Sequence, residues 1–172
     1  AAAEGVFDWA ESITSVDFPE SLTAVSDEMF RCCSNLTEII IPDSLTYIGE
    51  KAFNECYSLT DIFIPENVSY IGKNAFGQCE ELSAIYVDTD NKYYSAQSGV
   101  LYNKDKTDII VYPTGKTTAE YVMPDTVKEL HAGTFNGAKF TSLVLSENLE
   151  KIEEYAFVDI EFGISSFINL TS

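Results

Sequence analysis

Basic residues are scarce in this chain of 172 residues, which carries 10 Lys and Arg against 28 Asp and Glu, a formal charge of −18. A surface of that sign repels phosphate backbones and anionic membrane faces, so no nucleic acid partner is expected. No apolar run approaches the ~20 residues that a membrane-spanning helix needs, so no membrane insertion is expected. The N-terminus lacks the basic region and apolar core of a signal peptide. Its Ala1-Ala2-Ala3 suits the cleavage site of a leader already removed, although an artificial chain start would look the same. Histidine occurs once, and the four cysteines include no close CxxC pair, which argues against a zinc site. A nucleophile elbow, an HExxH helix and a glycine-rich phosphate loop are all missing, so we expect no enzyme, catalytic residue or cofactor. What is plentiful is apolar: 45% hydrophobic and 13% aromatic residues are enough for one continuous core.

That apolar content is periodic. Residues 13–35, 36–58 and 59–81 align without gaps at 23 residues each; the second reads LTEIIIPDSLTYIGEKAFNECYS and the third LTDIFIPENVSYIGKNAFGQCEE. Residues 118–139 and 140–162 keep the apolar positions but lose the glycine and cysteine, and a further copy opens at Gly163. Residues 1–12 are left as an N-terminal cap or a leader remnant, ahead of a repeat region over 13–172. Within a copy, alternation at Leu36, Ile39 and Ile41 reads as a short strand, and copies stacked in phase make its sheet parallel. Pro19, Pro42, Pro65 and Pro124 end that strand. Pairs such as Leu45 with Ile48 and Leu149 with Ile152 face inward on a second extended stretch. Gly49 and Gly72 then supply a bend. Phe30, Phe53, Phe76, Phe135 and Phe157 share one position, an aromatic ladder in a tight helical or 3₁₀ turn.

The pattern LxxIxIPxSVxxIGxxAFxxCxx, nearly complete in two copies, resembles the leucine-rich repeats of BspA-like surface proteins, and the likeness covers most of the chain. The resemblance implies an α/β, right-handed, horseshoe-like leucine-rich-repeat solenoid, strand-dominated with short helical or 3₁₀ turns. It also implies a secreted or cell-surface protein that binds host proteins, matrix or other microbes, without catalytic residues.

One copy is interrupted. It opens at Leu82 and runs 36 residues, to Thr117; Val100 to Tyr102 and Ile109 to Tyr112 flank a polar turn, so the extra segment near 91–117 reads as an inserted β-hairpin. Two roles are open for it, a side wall shaping a binding surface or a thickening of the coil that packs Tyr93, Tyr94, Tyr102 and Tyr112.

Cys33, Cys56 and Cys79 recur at one repeat position, next to Cys32. Because later copies hold Ala138 and Ile160 there, buried free thiols are expected; a disulfide between neighbouring coils is the alternative. His131 stands in the slot of Gly49 and Gly72 and reads as a turn residue. The run Asp88-Thr89-Asp90-Asn91 hints at calcium, but Lys92-Tyr93 departs from an EF-hand loop, so no metal site is expected. Asn35, Asn67 and Asn169 lie in glycosylation sequons, meaningful only in a secreting eukaryote.

Strand parity points to a binding surface. If Ile39 and Ile41 face inward, Ile40 faces out, and its equivalents are Asp17, Phe63, Tyr86, Val122, Val144 and Phe167. Acids rim this stripe: Glu38 and Asp61 before it, Asp43 and Glu66 after the strand. An apolar strip with a polar rim has the make-up of an interface, and the acids suit a protein partner with a basic patch. The strip could also bury against a second copy of the chain, or stabilise the sheet alone. The reading is therefore a non-enzymatic adhesion or protein-binding module; alternatives are a structural spacer carrying another domain and an accessory domain of a carbohydrate-processing surface protein.

Overall fold

A computed structural model describes residues 5–158, 160 and 167–168. The chain winds as stacked coils, each contributing a strand to one parallel face, a shorter strand to a second face, and an arc between them. The first face holds β1 (Ser15–Asp17), β3 (Glu38–Ile40), β5 (Asp61–Ile64), β7 (Ala84–Val87), β11 (Glu120–Val122), β13 (Ser142–Val144) and β15 (Phe167–Ile168). The second holds β2 (Ala24–Val25), β4 (Tyr47–Ile48), β6 (Tyr70–Ile71), β12 (Glu129–Leu130) and β14 (Lys151–Ile152). Strand pairs within each face are parallel and in phase, Ile62 opposite Ile85 and Ile48 opposite Ile71. Alternation does what parity requires: Ile39, Ile62, Ile85 and Leu143 are buried while their sequence neighbours turn away.

The arcs are not helical. Their amides split between two partners: Met29 and Arg31 donate three residues back, to Ser26 and Glu28, while Glu28, Phe30 and Cys32 donate forward to Glu50, Ala52 and Asn54 of the next coil. The second coil repeats this, Lys51, Phe53 and Glu55 donating to Lys73, Ala75 and Gly77. A helix needs consecutive amides to point the same way along one axis, and here positive φ at Glu28, Cys32, Lys51 and Glu55 turns alternate amides outward. The aromatic position therefore sits in hydrogen-bonded turns, and the described residues contain no helix. Gly49 and Gly72 are required by close approach rather than by a bend. A Cβ on Gly49 would lie 2.4 Å from the Asp27 nitrogen, and one on Gly72 2.4 Å from the Glu50 nitrogen.

Inside the arcs the rings stack. Phe7, Phe30, Phe53 and Phe76 follow one another at 5.1, 5.4 and 5.5 Å, their planes nearly parallel. The ladder thus begins at Phe7, and residues 5–11 form an arc whose Phe7 and Trp9 amides donate to Met29 and Arg31. Towards the other end Phe135 stacks on Phe157 at 5.4 Å. Ile152, expected inward, is 42% exposed at the last described strand of the second face.

The inserted segment is a three-stranded antiparallel meander, not a single hairpin. The expected hairpin is present as β9 (Val100–Asn103) with β10 (Ile109–Val111), but β8 (Tyr94–Gln97) pairs with the other edge of β9. The β8 to β9 turn is two residues, Ser98 and Gly99, with φ of 51° and 80°, the tight reversal that suits the twist of a hairpin. β9 is buried on both faces. Leu101 belongs to the core of the first coils, whereas Val100 and Tyr102 belong to a second core with Tyr112, Tyr121, Phe135 and Phe140. The meander is therefore a partition through the solenoid, and Tyr94, Tyr102 and Tyr112 are buried within it while Tyr93 is exposed. It also interrupts both parallel faces: β7 pairs with β5 but not with β11, its Ile85 amide donating instead to Gly99, and β6 does not pair with β12. One continuous sheet, as the repeat alone implies, is not formed.

Two stability outcomes follow. Phe53→Ala, in the middle of the ladder, should lower stability by about 3–5 kcal/mol, and Phe157→Ala, at its margin, by clearly less; chemical denaturation of both variants checks this. Tyr102 and Tyr121 hydroxyls share a buried hydrogen bond of 2.6 Å. Tyr102→Phe should cost about 1–3 kcal/mol by stranding the Tyr121 hydroxyl, read out in the same experiment.

Candidate functional site

The outward positions of the first face form an exposed apolar stripe. Ile40, Phe63, Tyr86 and Val122 are 60, 49, 55 and 59% exposed. Val144 is half-buried, and Glu38, Asp43, Asp61 and Glu66 are all exposed along the rim. Register aligns Asp17 with Ile40, Phe63 with Tyr86, and Val122 with Val144. The stripe is broken between Tyr86 and Val122, where the meander replaces strand pairing.

Phe167 does not continue it. β15 pairs Phe167 with inward Leu143, and Ile168 with Val144. The cause is spacing: 24 residues separate Leu143 from Phe167, against 23 between Val16 and Ile39.

The second face carries an aromatic pair that the repeat pattern also encodes, at Tyr47 and Tyr70, but which parity on the first strand does not reveal. Their rings stack at 4.9 Å and 9° on the surface, with the Tyr47 hydroxyl 3.3 Å from Asp27.

The cysteines are four free, buried thiols. Cys33, Cys56 and Cys79 each donate from Sγ at 3.2 Å to the carbonyl of the phenylalanine one coil back, Phe7, Phe30 and Phe53. Burial raises all of them, Cys32 to about 11 and Cys79 to about 12, and Cys33 and Cys56 in the same direction. The thiol is thus one more inter-coil hydrogen bond, not a reactive centre.

Glu66, Asp88 and Asp90 bring carboxylate oxygens within 4.8 Å of one another. Their surroundings are those of a turn: Asp88 accepts from the Asp90 amide, and the wholly buried Asn91 spends its side chain on Pro65, Val68, Tyr93 and Tyr94. Side-chain amides of Asn35, Asn67 and Asn148 likewise hold carbonyls of the coil before them, Glu11, Asp43 and Asp125. Asn169 lies outside the described residues.

His131 meets carboxylates on both sides, Asp108 at 3.1 Å and Glu153 at 3.6 Å. The nearby Thr134 hydroxyl donates to the His131 carbonyl. His131 lines a half-open cavity of about 560 Å³ between the arcs of the third and fifth coils. The preceding arc, whose counterparts force glycine at Gly49 and Gly72, is withdrawn there, which is why a side chain is tolerated.

The sequence profile of the BspA type leucine-rich repeat region matches in six copies over residues 3–121 and 114–169. The chain belongs to the BspA-type leucine-rich-repeat family. No curated protein matches it. Among solved structures, a leucine-rich cell surface protein from Faecalibacterium prausnitzii A2-165 is similar at 34% identity and a TM-score of 0.80, over 89% of this chain and 41% of that one. The pneumococcal vaccine antigen PcpA is similar at 31% identity and 0.67, over 80% of this chain and 40% of its own. A leucine-rich repeat protein from Eubacterium ventriosum ATCC 27560, at 24% identity and 0.59 over 87% of this chain and 52% of that one, shares the fold. The chain thus spans about two fifths of the first two proteins. This BspA-type solenoid has the fold of a repeat domain of bacterial surface proteins, and none of its described residues lies in a helix long and apolar enough to cross a membrane.

The buried thiols give a pH dependence with a definite sign. Folded values raised above those of the unfolded chain mean that the native state keeps protons which the unfolded state releases. The contribution to stability is complete below the ordinary thiol range near pH 8.5 and falls as pH rises towards the folded value of about 12 for Cys79. Melting temperature should therefore drop between about pH 9 and 11, and a Cys56→Ala, Cys79→Ala variant should show a shallower drop; parallel melts against pH check both.

Proposed function

We propose that this BspA-type solenoid is a non-enzymatic, protein-binding module of a secreted or surface-attached bacterial protein, and that it binds through the outward face of its first sheet. The observation that carries the reading is the exposure of Ile40, Phe63, Tyr86 and Val122 at one repeat position. Exposed apolar groups at one repeat position leave apolar surface in water that a partner would bury. Such a strip needs no pocket and no catalytic group.

The acids on the rim, Glu38, Asp43, Asp61 and Glu66, select a partner with a basic patch. At a rim such charges act mainly on the rate of encounter. Phe63 and Tyr86 are the anchors, because they are paired neighbours with the largest side chains of the stripe.

The test compares the parent with Phe63→Ser, Tyr86→Ser, first for an unchanged melting curve and sedimentation coefficient. Proteins captured by the parent from host-matrix or microbial extracts should be lost on the double variant, and neutralising the four rim acids should lower the association rate more than it raises the dissociation rate. If the folded double variant captures the same proteins with the same affinity, the stripe is not the binding surface.

A further inference from the structure

We propose that the cavity at the fourth coil is a second binding site, a slot that takes a short, uncharged peptide segment in the conformation of an arc, in place of an arc the chain itself does not supply. It is distinct from the first-sheet stripe and independent of that reading.

Hydrogen bonding carries the inference. In the first two coils every forward-pointing arc amide has an acceptor on the next coil. The equivalent amides of the third coil belong to Asn74, Phe76 and Gln78, and none of them has a partner among the described residues. Across the cavity, the carbonyls of Ala132, Thr134 and Asn136 occupy the positions that accept in other coils, and no donor among the described residues reaches them. All six residues line the same cavity. One wall therefore offers three donors and the other three acceptors, the two halves of a ladder whose middle member is absent. In the conformation of the arcs, alternate peptide groups point their carbonyls to one side and their amides to the other, so a peptide that takes up that conformation completes both at once.

Arc length explains the vacancy. Asp108 bridges to Glu129, the position of Tyr47 and Tyr70, so Ile109 stands where Ile48 and Ile71 do. From Ile48 to Leu59 and from Ile71 to Leu82 is 11 residues, but from Ile109 to Thr118 only nine. Too short to follow its neighbours outward, the fourth arc cuts across the interior. Gly115 passes so close to the preceding coil that a Cβ there would lie 2.4 Å from Glu81, and Tyr112 packs on Tyr121 and Phe140 at 4.9 and 5.4 Å. Among the described rings, Phe76 stacks only on Phe53.

Lining chemistry defines the ligand. Ile71, Ile109 and Val111 give an apolar floor, so one apolar side chain turns inward. At the walls Lys51 and Lys73 are balanced by Glu55 and Glu153, which selects for no net charge. The volume of about 560 Å³ is that of a ligand pocket suited to a short peptide. The Asn74 side chain reaches across, its oxygen 3.2 Å from where a Cβ on Gly133 would lie, and rotates aside on entry.

The probe is a capped peptide copying residues 72–78 with its lysine replaced by glutamine, titrated into the full chain. Saturable binding is expected, unchanged in Phe63→Ser, Tyr86→Ser and weakened roughly tenfold or more in Ala132→Trp, which fills the slot. Amide hydrogen exchange keeps the test independent of any variant. In the free chain the Asn74, Phe76 and Gln78 amides should exchange faster than those of Lys51, Phe53 and Glu55, and saturating peptide should protect them. No saturation below about 1 mM, equal binding by a folded Ala132→Trp, or unchanged protection of the three amides would each overturn the slot.

Discussion

Everything in this molecule depends on the arc amides that point forward into the next coil. A stacked coil is stable only if its neighbour places a carbonyl one step further along the axis, and that fixes the conformation of the arc, the spacing of the coils and the identity of several residues. The positive φ values at Glu28, Cys32, Lys51 and Glu55 aim the amides. The approach this produces excludes a Cβ at Gly49 and Gly72, and holds the phenylalanine rings at about one coil spacing, 5.1 to 5.5 Å. The thiols of Cys33, Cys56 and Cys79 use the same geometry in the opposite direction, donating back to the coil before. Glycine, phenylalanine and cysteine recur together because each answers one part of a single contact.

Contacts that repeat were legible in the sequence; those that depend on where repetition fails were not. The strands, the inward aliphatic positions and the aromatic ladder follow from a strict period of 23, and the exposed state of Ile40, Phe63, Tyr86 and Val122 follows from parity alone. Tyr94–Gln97 has no apolar alternation to mark a strand, and becomes one because β9 offers it an edge; only the Ser98-Gly99 turn signals it. The turn conformation of the arcs was hidden because the phenylalanine period is compatible with a helix, and what forbids the helix lies on the next coil. The register of Phe167 was hidden by a single added residue in a weakly conforming coil, which pairs it with Leu143 rather than Val144.

A solenoid tolerates such failures because each coil answers only to its neighbours. β9 exploits this. Buried on both faces, it closes the core of the first coils with Leu101 and opens that of the later ones with Val100 and Tyr102. The meander thus bears two consequences at once: it interrupts strand pairing on the first face between β7 and β11, dividing the exposed stripe between Tyr86 and Val122, and it returns the chain to the second face with an arc two residues short.

Such a shortfall has a different meaning on each face. On the first, the interruption is covered, since the Ile85 amide turns to Gly99 and the partition strand is packed on both sides. On the second, the Ile71 amide is met only by a side chain, the Tyr94 hydroxyl at 2.9 Å, and beyond it the arc amides of the third coil face open space. Among the described residues, a fold that satisfies its backbone by stacking one arc on the next leaves here the recognition pattern that it uses on itself. Any segment able to copy an arc meets there the donors and the acceptors that the arcs of the first two coils meet in their neighbours.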